Sequence, residues 1–149
     1  MRRALFICFV VSCLGFPARP NANAGEDAKD PLQGVWIARS LESDGKAAPA
    51  EAVRRMQFTF QGKKLFIKGN FADDRVEECT FKVDVTQSPK HLDITPPESQ
   101  LRIPGIYDVK DDQLSVCLRH ASSSDGRPTE FASKVDSKLI LIVFQRQHE

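Results

Sequence analysis

The sequence predicts an all-β domain of eight antiparallel strands with one short helix after the first strand. Short segments that alternate apolar and polar residues recur along most of the 149-residue chain, with turn signals between them, a spacing that a sandwich or a barrel satisfies. Leu32-Gln33-Gly34-Val35-Trp36 narrows the choice. A Gly-x-Trp at the start of the first strand, placed soon after an export signal, points to a small secreted barrel.

The export signal occupies residues 1–24. Met1-Arg2-Arg3 supplies the positive region, Ala4 to Phe16 the apolar stretch, and Ala22-Asn23-Ala24 the small residues that a signal peptidase reads. The apolar run is shorter than the ~20 residues a membrane span needs. Val10-Val11-Ser12-Cys13 also fits a loose lipobox, so a lipoprotein anchored through Cys13 is the alternative to a periplasmic or secreted protein. Cleavage after Ala24 leaves residues 25–31 as an amino-terminal extension and residues 32–149 as a single barrel domain.

Val35 to Leu41 opens the sheet and Asp44-Gly45-Lys46 turns it. Pro49 to Arg55 reads as one or two helical turns, with proline where a first-turn residue needs no N–H. Met56 to Gln61 alternates cleanly, Gly62-Lys63 turns the chain, and Lys64 to Lys68 completes a hairpin. Gly69 to Asp74 is a polar loop around Phe71, followed by a longer strand from Val76 to Val85. Thr86 to Lys90 turns into His91-Leu92-Asp93-Ile94, which Pro96-Pro97 stops. Leu101 to Val109 carries Pro104-Gly105, read as a bulge or bend because proline cannot donate to a ladder. Lys110-Asp111-Asp112 turns into Gln113 to Arg119, Ala121 to Arg127 is a Ser-rich loop, and Lys138 to Arg146 is the last strand. Leu139 to Phe144 is apolar at every position, so both faces of that strand need cover.

Removing the signal takes away three arginines and no acid, so the 21 basic and 20 acidic side chains become 18 and 20, a net charge of −2. A near-neutral domain without a long Lys/Arg run has no electrostatic footprint for nucleic acid and no polybasic membrane patch. Cys79 and Cys117 survive cleavage into a compartment that permits pairing. Strand phase argues against a bond. Cys79 alternates with Phe81, Val83 and Val85, whereas Cys117 lies opposite the face of Leu114, Val116 and Leu118.

Five motifs occur in order: Leu32-Gln33-Gly34-Val35-Trp36, Glu42-x-Asp44-Gly45-Lys46, Ser88-Pro89-Lys90-x-Leu92-Asp93-Ile94, Gly105-Ile106-Tyr107 and Arg127-Pro128-Thr129-Glu130-Phe131. Together they resemble a lipocalin-like domain found in many planctomycete proteins, from Leu32 to Arg146. The resemblance implies an eight-stranded lipocalin-like barrel and brings no activity with it. Gly34-Val35-Trp36 is also similar to the start of lipocalins and related barrels, in which a basic residue of the last strand lies across the tryptophan. Arg146 holds that place here, and with Gly34 and Trp36 it is expected to close one barrel end.

Catalytic and metal-binding patterns are not found. His120 and Cys117 lie at opposite strand phases, and HExxH, paired CxxC and acidic calcium-loop motifs are missing. Ser122-Ser123-Ser124 beside His120 is a serine run without the frame that a nucleophile needs. Neighbouring carboxylates such as Glu77-Glu78 face opposite sides of a strand and form no acid–base pair. No enzyme activity and no cofactor are expected. In the Arg127 to Phe131 motif, Arg127 and Glu130 pair or face a ligand, or else the segment organises the approach to the last strand.

Phe58, Phe60, Phe81, Val116, Leu118 and Phe131 are the expected ligand-lining residues of the interior, with Leu65, Ile67, Val83, Leu114 and Leu141 also on inward faces. An eight-stranded barrel is either filled by such side chains or leaves room for one small ligand. The expected function is therefore an exported, non-enzymatic binder of a small apolar or amphipathic molecule. The alternative is a protein-binding module, such as an inhibitor of an exported protease that uses Gly25 to Pro31 as an extended arm.

Overall fold

Short turns keep sequential strands side by side, so the order of strands in space follows the order in sequence. The computed structural model describes residues 30–69, 74–99, 101–120 and 125–148. The strands are β1 (Gly34–Ser43), β2 (Lys46–Ala47), β3 (Gln57–Gln61), β4 (Lys64–Lys68), β5 (Val76–Asp84), β6 (Lys90–Thr95), β7 (Ile103–Lys110), β8 (Gln113–Arg119) and β9 (Leu139–Arg146), with one helix, α1 (Ala50–Arg55), between β2 and β3. Every pairing is antiparallel, and β1 pairs with both β3 and β9. Eight strands therefore close into a barrel. The ninth, β2, is a two-residue flap on Glu42 and Ser43. The export signal, the Cys13 alternative, Gly25 to Lys29, Phe71 and the serine run lie outside the described residues.

β1 departs from the regular strand expected of Val35 to Leu41. Its register against β9 shifts between Ala38 and Ser40. Trp36 and Ala38 point inward before the shift and Leu41 packs on the core after it, while Arg39 and Ser40 are exposed. The reverse holds at Pro104-Gly105, where no bulge forms. The β6–β7 register runs unbroken through Asp93↔Pro104, and the β8 ladder begins only at Gly105, so Pro104 lies beyond the end of that ladder.

Trp36, Phe58, Phe60, Leu65, Leu92, Ile94, Leu114, Val116 and Phe144 fill the barrel and are at most 2% exposed. Phe58 stacks at a tilt on Phe144, centroids 4.6 Å apart, and Phe60 meets Phe81 edge-on at 5.0 Å. Each such burial contributes roughly 1.5–3 kcal/mol. Two residues expected inside are elsewhere. Val83 is 38% exposed because β5 runs past the filled part of the barrel. Leu141 faces outward because its partner in register is Cys117, on the outer face of β8. The expectation that both faces of β9 are covered holds: Ile142 and Phe144 are in the barrel core, while Leu139 and Leu141 join Ile106, Cys117 and Phe131 in a second cluster on the outside.

Candidate functional site

The two barrel ends differ because their connections differ in length. At one end lie the two-residue turns Gly62-Lys63 and Asp111-Asp112, the five-residue connection of residues 85–89 and the beginning of β1. Here the Trp36 indole N–H donates to the Leu32 carbonyl at 2.7 Å, and the Arg146 guanidinium carbon sits 4.2 Å from the centre of the indole. Arg146 also donates from Nη1 to Gln33 O and from Nη2 to Pro31 O, both at 2.7 Å, and its Nε lies 3.4 Å from Asp112 Oδ1. Gly34 takes φ +118°, and a Cβ there would sit 3.2 Å from Arg146 Nη1, so the glycine leaves the guanidinium its place. Gln33 ties the plug to the β3–β4 turn through Gly62 N and O. Leu32 and Trp36 are fully buried, and this end is sealed.

At the other end the chain makes longer connections: α1, residues 69–75, residues 96–102 and residues 120–138. Strand ends there are not drawn together by two-residue turns, and a cavity of about 560 Å³ remains between them. Its walls are Met56, Phe58, Ile67, Ile94, Leu118 and Ile142, with Cys79 among them and Ser43, Glu77 and His120 at the strand ends around the rim. Ala48 and Ala52 line it from the α1 side. The arrangement is an apolar pocket with a polar margin.

No family model, curated protein or solved structure matches this chain. The site is defined by its own residues. Of the side chains expected to line a ligand space, Phe58 and Leu118 do so. Phe60, Phe81 and Val116 belong to the filled core below the cavity. Phe131 is not interior at all; it packs on the outside against Ile106, Cys117 and Leu139, because residues 125–138 cross the outer face of the sheet. Met56, Ile67, Ile94 and Ile142 are not among the ligand-lining residues expected from the sequence, and the signal that finds them is positional. Each occupies an inward phase near a strand end that leads to one of the longer connections.

Arg127 and Glu130 do not pair with each other. Arg127 Nη2 meets Asp93 Oδ1 at 2.6 Å and its Nη1 donates to Gly105 O at 2.6 Å, so it pins the crossing segment onto β6 and β7. Glu130 forms an exposed i,i+4 pair with Lys134 at 2.6 Å. The motif organises the approach to the last strand.

Cys79 and Cys117 are both free and buried, on opposite sides of the barrel wall. Burial pushes the Cys79 thiol up to about 12, helped by the negative charge of Glu77. Burial also raises Cys117, whose thiol donates to Ala132 O at 3.7 Å. Since thiolate is the reactive form, neither thiol is expected to react with iodoacetamide in the folded protein near ~pH 8, and both are expected to react in denaturant, as read by mass spectrometry. The linkage runs one way. Between the ordinary value of 9.0 and about 12 the folded Cys79 holds a proton that the unfolded one has lost, so stability falls as pH rises through that window. Rapid labelling of native Cys79 would show that the cavity wall is open to solvent.

Among the described residues no cluster of three His, Cys, Asp or Glu side chains could hold a metal ion, and no helix is long and apolar enough to cross a membrane.

Proposed function

We propose that the chain is an exported, non-enzymatic lipocalin-like protein that holds a small apolar or amphipathic molecule in the mouth of its barrel. The observation that carries the reading is the asymmetry of the two ends. One is plugged by Trp36 and Arg146, while the other keeps a cavity of about 560 Å³ with apolar walls and a polar rim. Pockets that enclose small ligands are of this order, roughly 300–1,000 Å³. Membership of the planctomycete lipocalin-like family is part of the proposal, supported by the order of the five motifs and by the barrel closure. The protease-inhibitor alternative has less support. The described part of the extended arm, Asp30 and Pro31, is bonded into the plug, where Pro31 O accepts from Arg146.

An apolar, environment-sensitive dye is expected to bind with 1:1 stoichiometry and to stabilise the protein by about 2.7 kcal/mol at a hundredfold excess over its Kd. Ala48→Phe places a ring at the cavity wall and should abolish dye binding with the β-sheet circular dichroism intact. Val116→Phe acts deeper, in the filled core, and should instead overpack it at a cost of about 1–3 kcal/mol. Native mass spectrometry of protein from its own host would identify the natural occupant. Absence of dye binding together with an empty native spectrum would remove the ligand-carrier reading.

A further inference from the structure

We propose that the mouth selects an amphiphile whose polar head is cationic, an alkylammonium rather than a carboxylate, and that Glu77 receives this head. The proposal rests on the carrier reading and adds to it the chemistry of the head group. Side chains directly opposite each other in an antiparallel pair share a face of the sheet. Glu77 is opposite Ile67 and Cys79 is opposite Leu65, and Ile67, Leu65 and Cys79 all belong to the barrel core. Glu77 is therefore the next inward residue after Cys79 towards the mouth, and its half-buried side chain lines the cavity. Its negative charge reaches the wall below, where it adds to the rise of the Cys79 thiol.

Arg119 and His120 also line the cavity. The charge of Arg119 is spent elsewhere. Arg119 is opposite Leu139, a member of the outer cluster, so its side chain starts on the outer face of the barrel. There its Nε donates to Gly126 O and its Nη1 to Ser137 O, both at 2.8 Å, and Asp125 Oδ2 lies 3.9 Å from Nη1. The guanidinium is thereby committed to residues 125–138. His120 stands one residue past the end of β8, on the rim. Arg75, two residues before Glu77, is exposed and not part of the lining. The fixed charge presented to the cavity is thus negative. A carboxylate offers about four acceptor positions, so an ammonium head can share Glu77 with neighbours already bonded to it. Ser43 of β1, opposite Ile140, brings a hydroxyl oxygen to the same rim that can accept a second N–H. Beside a half-buried carboxylate a cation is held and an anion repelled, and the apolar walls strengthen both effects by lowering the local dielectric.

The test measures binding of dodecylamine, dodecanol and dodecanoate to the full chain by isothermal titration calorimetry. It is run near ~pH 8, where an ordinary imidazole is uncharged and an alkylamine is protonated. Dodecylamine is expected to bind at least about tenfold more tightly than dodecanol, and dodecanol at least about tenfold more tightly than dodecanoate. Glu77→Gln should bring dodecylamine and dodecanol to within about twofold of each other. Ser43→Lys keeps Glu77 and adds a cation to the rim, so it should weaken dodecylamine and strengthen dodecanoate, each about tenfold. Three equal affinities, a preference for dodecanoate, an amine preference that survives Glu77→Gln, or an order unchanged by Ser43→Lys would each overturn the proposal. So would dodecylamine binding that survives Ala48→Phe, which would place the amine outside the mouth. Dodecanol binding without an amine advantage overturns the head-group assignment and leaves the carrier reading standing, whereas binding of none of the three removes both.

Discussion

Trp36→Ala is expected to destabilise the protein by about 3–5 kcal/mol, as large-to-small changes of buried aromatic residues do. The indole is fully buried, donates to Leu32 O at 2.7 Å and supports the Arg146 guanidinium at 4.2 Å. Its loss leaves a cavity, an unpaired carbonyl and an arginine without its aromatic seat. Arg146→Ala should cost less, because the cation–π contact is worth about 0.5–2 kcal/mol and the apolar plug survives. It should also change the emission of Trp36, the one tryptophan of the chain. Urea denaturation of the three proteins measures both effects. A Trp36→Ala midpoint equal to that of the parent would show that the sealed end contributes nothing to stability.

Gly69→Ala is expected to cost about 2–4 kcal/mol, from a left-handed backbone and a collision together. Gly69 takes φ +83°, and a Cβ there would lie 2.5 Å from the carbonyl carbon of Arg55 and 2.8 Å from Met56 N. These are backbone atoms at the junction of α1 and β3, so relief requires moving the helix. Gly62→Ala is the matched control. Gly62 has φ +60°, and a Cβ added there would meet nothing within 4 Å, so only the backbone cost of about 1–2 kcal/mol applies. Because Met56 lines the mouth, Gly69→Ala should also weaken dye binding, and Gly62→Ala should not. Equal losses of stability in the two variants would mean that the contact between Gly69 and the helix end is soft.

The strand set was legible because a half-buried strand has a period of two and its turns have their own chemistry. Met56 to Gln61 and Gln113 to Arg119 show this plainly, and they align closely with β3 and β8. Phase was harder where alternation is absent. Leu139 to Phe144 is apolar throughout, so which of Leu141 and Ile142 points inward is decided only by register with β8. The shift at Arg39 left no mark beyond the uneven spacing of Trp36, Ala38 and Leu41. The cavity was not legible at all. A filled barrel and a hollow one draw on the same phenylalanines and leucines, and the difference lies in how far apart the connecting segments hold the strand ends. Phe131 shows the related failure: its apolar character marked it for burial, but not for which side of the wall.

The Trp36 plug has a mechanical consequence. Gln147 N donates to Val35 O at 2.8 Å, so the first and last described strands meet at the sealed end, and the chain arrives and departs there side by side. A surface, bead or fusion partner joined directly to residue 30 or residue 148 attaches beneath the plug, and the mouth points away from it. Tension applied through both termini loads the β1–β9 seam from one end, with the Arg146 brace as the first catch to give. Attachment at the sealed end leaves the mouth unobstructed.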